Sequence, residues 1–116
     1  MIVKETEKYQ KYIQVLATCA EACYECFNAC LDEEKAEAPS IKRCIKLLVE
    51  CAKICETTAF IMSMDGKFVK RQSELCAEVC DVCSQTCALF QDEPCQKCAL
   101  ECRKCSELCT EMTTKT

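Results

Sequence analysis

Sixteen cysteines occur in this 116-residue chain, and all of them fall at intervals that return an α-helix to one face. They run Cys19, Cys23, Cys26, Cys30; then Cys44, Cys51, Cys55; then Cys76, Cys80, Cys83, Cys87; then Cys95, Cys98, Cys102, Cys105, Cys109. Within each group the gaps are three, four or seven residues, which is the repeat of a helical seam. Seams of this kind normally carry Leu and Ile. Four seams of thiols instead predict a helical chain whose interior does chemistry as well as packing.

Three breaks separate the seams. The first runs from Asp32 to Ser40, where Pro39 is expected to stop one helix and Ser40 to cap the next. The second is Asp65-Gly66-Lys67, with Gly66 expected as the left-handed terminator. The third is Gln91-Asp92-Glu93-Pro94, with Asp92 as cap and Pro94 in the first turn. Helices are expected over about 6–33, 41–65, 67–90 and 93–112, in one domain spanning 1–116. Short loops make successive helices antiparallel neighbours, so the fold expected is all-α: an up-down-up-down four-helix bundle with a cysteine-lined core.

Each seam extends beyond its cysteines. Tyr9, Tyr12 and Leu16 precede the first, and Ile41, Leu48, Thr58 and Met62 share the second. Val69, Ser73 and Phe90 flank the third, and Met112 closes the fourth. Glu21, Glu25, Glu50, Lys53, Glu78, Asp81, Glu101 and Lys104 all lie off the seams. Counted from the loops, Cys30 should lie level with Cys44, Cys19 with Cys55, and Cys55 with Cys76. Across the last loop, Cys87 should meet Cys95, Cys83 should meet Cys98, and Cys80 should meet Cys102. The four thiol stretches then overlap along about 16–21 Å of the bundle. Tyr9, Tyr12, Leu16, Met62, Val69 and Met112 gather at the opposite end as an apolar and thioether plug.

Composition narrows the chemistry. His is absent, which removes the commonest nitrogen ligand and the usual acid–base catalyst. A net charge of −4 with no basic patch argues against nucleic acid as a partner. No window approaches 18 uninterrupted apolar residues, and the N-terminus has no apolar signal core, so no membrane partner and a cytoplasmic location are expected. In a reducing compartment, clustered cysteines serve as metal ligands rather than disulfides. Cysteines three or four apart on one helix also hold their Cβ atoms too far apart, and too divergent, to bridge. No Gly-rich phosphate loop and no partner for a nucleophilic thiol are present, so the chain is not expected to be an enzyme.

Charge selects among metals. The metal-ligand candidates are all sixteen cysteines, and no Lys or Arg lies on the seams to offset their thiolates. A divalent zinc in a four-thiolate site leaves net charge on a buried cluster. A monovalent soft ion neutralises thiolates one for one, and sulfur ligands favour Cu(I). The cofactor expected is therefore Cu(I), several ions per chain. Two alternatives remain: an iron–sulfur electron-transfer protein, and a metallothionein-like zinc or cadmium scavenger. The first is weakened because the ferredoxin run of three two-residue gaps ending in Cys-Pro is missing.

The Cys-x3-Cys-x2-Cys-x3-Cys run of Cys19–Cys30 recurs at Cys76–Cys87 and, extended, at Cys95–Cys109. This pattern resembles the bacterial copper storage proteins, a family of cysteine-filled four-helix bundles, over about Tyr9 to Met112. The resemblance implies storage of many Cu(I) ions through inward cysteines, a homotetramer, and exchange with a copper donor or acceptor chaperone. Lack of an export signal is similar to the family's cytosolic branch. Family members usually carry His, sometimes with Met, where copper enters. This chain has no His, and Met62 and Met112 are the candidates for that role at the terminal end. The loop end, where Cys30, Cys44, Cys87 and Cys95 approach Asp32, Glu33, Glu34, Asp92 and Glu93, is the other candidate entrance. A second apolar stripe, Ile13, Ala17, Ala20, Tyr24, Phe27 and Leu31, together with Leu47, Ile54 and Ile61, is wide enough to contribute to a subunit interface.

Overall fold

The computed structural model describes residues 8–32 and 38–114. Four helices follow one another: α1 (Gln10–Leu31), α2 (Pro39–Ser63), α3 (Val69–Cys87) and α4 (Glu93–Thr114). They pack as a ring, with α1 against α2 and α4, and α3 against α2 and α4. Cross-helix contacts fix the directions. Cys19 touches Cys102 while Cys26 touches Cys95, and Cys51 touches Cys80 while Cys55 touches Cys76. In each pair one number rises as the other falls, so these neighbours are antiparallel. Ser84 Oγ donates to the Ala99 carbonyl and Ser106 Oγ to that of Ala77, so α3 and α4 are antiparallel as well.

α1, α2 and α3 begin without a side-chain cap, so their stability comes from the buried face. That face is the cysteine seam. All sixteen thiols are buried, and Leu16, Leu48 and Met62 are fully enclosed with them. Each enclosed aliphatic side chain contributes about 1.5–3 kcal/mol, and a protonated thiol packs beside it as a small apolar group. Ile41 and Phe90 are only partly buried, packed against the core from the loop end.

The breaks differ from expectation in instructive ways. Pro39 does not stop a helix but opens one. Ala38 is the cap residue, with φ −63° and ψ 140°, and Pro39 takes the first helical position. The ring presets the helical φ there, and the missing N–H has no intrahelical partner to lose. Ser40 lies inside the first turn and is not the cap. Glu33, Glu34 and the expected ends of the first helix at 6 and 33 lie outside the described residues.

At the second break the left-handed residue is Asp65, with φ 48°, and not Gly66. Asp65 N–H donates to the Met62 carbonyl and Gly66 N–H to that of Ile61, both at 3.0 Å. This pair of bonds is the Schellman closure, with Asp65 in its left-handed position. Asp is among the few side chains that adopt that conformation at modest cost. Gly66 is required for space instead. A Cβ there would sit 3.0 Å from Ile61 Cγ2.

At the third break α3 ends at Cys87, short of 90. Leu89 N–H bonds back to Thr86 and Phe90 N–H to Cys87, both i→i−3, a tightened turn with a longer rise per residue. Gln96 Nε2 holds this turn from α4 through the carbonyls of Phe90 at 2.5 Å and Ala88 at 3.3 Å. The Asp92 carbonyl accepts from both Cys95 and Gln96, so Asp92 marks the start of α4 with Pro94 in the first turn.

Candidate metal centre

The seams converge on the bundle axis as a continuous column of sulfur. Cys55, Cys76, Cys80 and Cys105 bring their Sγ atoms within 4.8 Å of one another. So do Cys19, Cys51, Cys55 and Cys80; Cys19, Cys23, Cys51 and Cys102; and Cys23, Cys83, Cys98 and Cys102. Each quartet shares two sulfurs with the next: Cys55 and Cys80, then Cys19 and Cys51, then Cys23 and Cys102. Cys98 then links the last quartet to a triplet with Cys26 and Cys87. Ten of the sixteen cysteines thus form one edge-sharing series, and the triplet adds two more through the single sulfur of Cys98. The remaining four, Cys30, Cys44, Cys95 and Cys109, attach at the ends of this column. Cys95 Sγ lies 3.4 Å from Cys26 Sγ, Cys30 interacts with both Cys95 and Cys44, and Cys109 bonds with Cys105 and Cys76.

Adjacent sulfurs stand close together without being bonded. Cys55 to Cys80 is 3.5 Å, while Cys51 to Cys80, Cys55 to Cys76 and Cys23 to Cys102 are each 3.8 Å. All sixteen are free thiols. A tetrahedron with edges near those lengths has its centre about 2.3 Å from each corner, a metal–thiolate bond length. The spacing therefore suits a soft ion seated among four sulfurs, and shared edges suit thiolates that bridge two ions.

The register expected around the first two loops holds for Cys19 with Cys55, which share a quartet, and for Cys55 with Cys76. Around the third loop it holds for Cys83 with Cys98, which share a quartet, and is displaced at Cys87 and Cys80. Cys87 meets Cys98 at 3.8 Å and Cys80 groups with Cys105, each one seam position further along α4 than expected. Cys95 turns to Cys26 on α1 instead of Cys87. The tight turn after Cys87 supplies the offset, because it lengthens the path between α3 and the loop apex.

Among the described residues the column has no buried counter-charge. Among the described residues the only buried polar side chains are Thr58, Ser73 and Ser84. Burial pushes the Cys30 thiol up to about 12, with Cys95 and Cys44 adding to the rise, and burial raises Cys95 as well. Deeper in, hydrogen bonding with Cys102 holds Cys19 and Cys51 below the usual thiol range. Cys102 is itself raised, chiefly through Cys19. A quartet that ionises one sulfur therefore keeps the proton on a neighbour, and further ionisation calls for a cation.

Met62 and Met112 are both buried in the plug at the terminal end, with Tyr12 and Leu16. Thr58 donates to the Ile54 carbonyl and accepts from Gln72 Nε2, while the Ser73 hydroxyl beside this layer has no partner. Tyr9 covers the plug, its hydroxyl donating to Asp65 Oδ1 at 3.0 Å. Sequence reasoning placed Tyr9 and Ser73 on seams but had no signal for either relationship, because each depends on another helix.

Comparisons with known proteins agree with this geometry. The family described as copper storage protein (Csp) matches residues 5–114. The uncharacterized cysteine-rich protein YhjQ of Bacillus subtilis is 36% identical over 100 residues, covering 86% of this chain and 91% of that protein. The structure of Cu(I)-bound copper storage protein BsCsp3 superposes with a TM-score of 0.86 at 34% identity, over 90% of this chain and 97% of that one. A cytosolic copper storage protein from Streptomyces lividans, with five coppers, gives a TM-score of 0.87 at 30% identity over 95% of each chain. The chain belongs to the copper storage protein family.

Proposed function

We propose that this protein stores Cu(I), several ions per chain, on the thiolates of its sixteen inward cysteines, and that it does so in the cytosol without catalysing a reaction. The observation that carries the reading is the edge-sharing series of sulfur quartets in a core with no buried cation among the described residues. Every ion bound replaces protons: a thiol S–H breaks, a Cu–S bond forms and H⁺ leaves. One Cu(I) balances one thiolate, so the column fills without accumulating buried charge, whereas zinc in each quartet leaves residual negative charge. The copper-loaded relatives, of similar fold at 30% and 34% identity, support the same reading. No helix among the described residues is long and apolar enough to cross a membrane.

The storage unit is a single bundle domain over the whole chain, assembled as a homotetramer that exchanges copper with a donor or acceptor chaperone. A surface cavity of about 620 Å³ on the outer faces of α1 and α2 is bordered by Ala17, Ala20 and Ala59, whose small side chains suit close helix approach between subunits, together with Tyr24, Asn28 and the acidic Glu21, Glu25 and Glu56. Light scattering on the purified protein reads the subunit number directly.

Anaerobic titration of the reduced apo-protein with Cu(I), against a competing chelator, tests the storage reading. The expected end point lies near the cysteine count, with no visible iron chromophore. Saturation at about one or two ions per chain overturns it, as does a preference for zinc over Cu(I).

A further inference from the structure

Two triples of sulfurs in the column are closed on every side. Cys23, Cys98 and Cys102 form an equilateral triangle, with all three Sγ–Sγ separations at 3.8 Å. Cys55, Cys76 and Cys80 form a second, with edges of 3.8, 3.5 and 3.9 Å. The triangles share no residue and are built alike. In the first, the Cys-x3-Cys pair Cys98 and Cys102 on α4 meets one thiol of α1; in the second, Cys76 and Cys80 on α3 meet one thiol of α2. A spacing of four stacks each pair on one helical face, and the antiparallel neighbour supplies the third corner. All six thiols are fully buried.

A buried triangle of thiols restricts its occupant by charge, because the ion must cancel whatever the sulfurs acquire on losing their protons. One Cu(I) in an isolated triangle does this only if two of the three sulfurs stay protonated. A trivalent centre bonded to all three does it alone. Shape agrees with charge. A triangle of 3.8 Å edge has its centre about 2.2 Å from each corner, just short of a metal–thiolate bond. A three-bonded ion therefore rests outside the sulfur plane, which is the pyramid that the lone pair of a trivalent metalloid requires. Small rotations about χ1 of the three cysteines close the pyramid further.

We propose that these two triangles are binding sites for uncharged hydroxides of trivalent, thiophilic metalloids, the class to which arsenite belongs. At each site three S–H bonds and three As–O bonds break, three As–S bonds form, and each hydroxyl leaves with a thiol proton as water. Arsenic stays trivalent and no electron is transferred. Arsenite is uncharged at neutral pH and its tris-thiolate product is uncharged, so no charge crosses or remains in the core. The fourth sulfur of each quartet, Cys83 beside the first triangle and Cys105 beside the second, keeps its proton and packs as an apolar group. Because the folded chain already holds three thiols together, it outcompetes separate monothiol molecules, which must be gathered one by one.

Anaerobic titration of the reduced, full-length apo-protein with sodium arsenite, in a roughly hundredfold excess of glutathione, tests this. Native mass spectrometry should show two retained arsenics per chain, each adding one arsenic and removing three hydrogens. Arsenic K-edge absorption should show three sulfur neighbours and no oxygen. Cys98→Ser with Cys102→Ser should remove one of the two arsenics, and Cys76→Ser with Cys80→Ser the other. Cys30→Ser with Cys44→Ser, outside both triangles, should keep both. Loss of arsenic in this last variant, or its full retention in either of the first two, overturns the proposal.

Circular dichroism checks that the variants remain helical. Where one unfolds, the wild-type chain decides: fewer than two arsenics held against glutathione, or an As–O bond in either, overturns the proposal. The copper reading is tested separately by its own titration, and each can fail without the other.

Discussion

Cys19 and Cys102 are 83 residues apart in the chain, and their Sγ atoms lie 3.5 Å apart. Each belongs to two sulfur quartets, and they share one. Removing either sulfur therefore opens two coordination sites at once. Cys19→Ser is expected to lower Cu(I) capacity by about two ions where independent sites would lose one. Anaerobic titration with a competing chelator measures the difference, and a loss of one ion or none would show that the quartets do not share their edges in the loaded protein.

Alkali should destabilise the apo-protein specifically. The Cys30 thiol rises from 9.0 to about 12 on folding, first through burial and then through Cys95 and Cys44. A raised pKa means the folded chain keeps a proton that the unfolded chain surrenders. Its contribution is present in full below about pH 9 and is lost as pH climbs towards 12, at about 1.4 kcal/mol per pH unit for each such thiol. Melting curves of the reduced protein should shift down across that window. The Cu(I)-loaded protein, having released these protons already, should show a much flatter profile.

The Ser73 hydroxyl is fully buried with no hydrogen-bond partner. Ser73→Ala deletes an unsatisfied group with little change of volume, so the apo-protein should gain about 1–3 kcal/mol in urea denaturation. Copper capacity should be unchanged. A loss of stability would mean that the hydroxyl is bonded in solution.

Gly66→Ala places a methyl group 3.0 Å from Ile61 Cγ2, inside the turn that joins α2 to α3. The substitution should cost about 1 kcal/mol or more. The cost should shrink in an Ile61→Ala background, because the clash partner is gone, and the four chemical-denaturation midpoints form a double-mutant cycle. If Gly66→Ala costs the same in both backgrounds, the close approach to Ile61 is not the reason for glycine.

Much of this protein can be read from spacing alone. A cysteine every three or four residues forces the thiols onto one helical face, and four such stretches separated by short breaks leave little alternative to an antiparallel bundle. The residues that close the plug were legible for the same reason, since Tyr12, Leu16, Met62 and Met112 continue the seams. The loops were less legible. Gly66 carries a strong left-handed signal by residue type, yet Asp65 takes that conformation and Gly66 serves to make room for Ile61. Pro39 reads equally as a stop or a start until the helix on its far side is seen.

The sequence by itself determined that sixteen thiols face inward without counter-charge, because periodicity and composition are local properties of the chain. Only the tertiary structure decided which sulfurs meet. A tight turn after Cys87, held by Gln96, sets Cys87 against Cys98 and sends Cys95 to Cys26 instead of Cys87, while Cys83 still meets Cys98. Coordination is a matter of ångströms between separate helices, and small differences in loop rise move those distances without leaving a trace in the seam pattern.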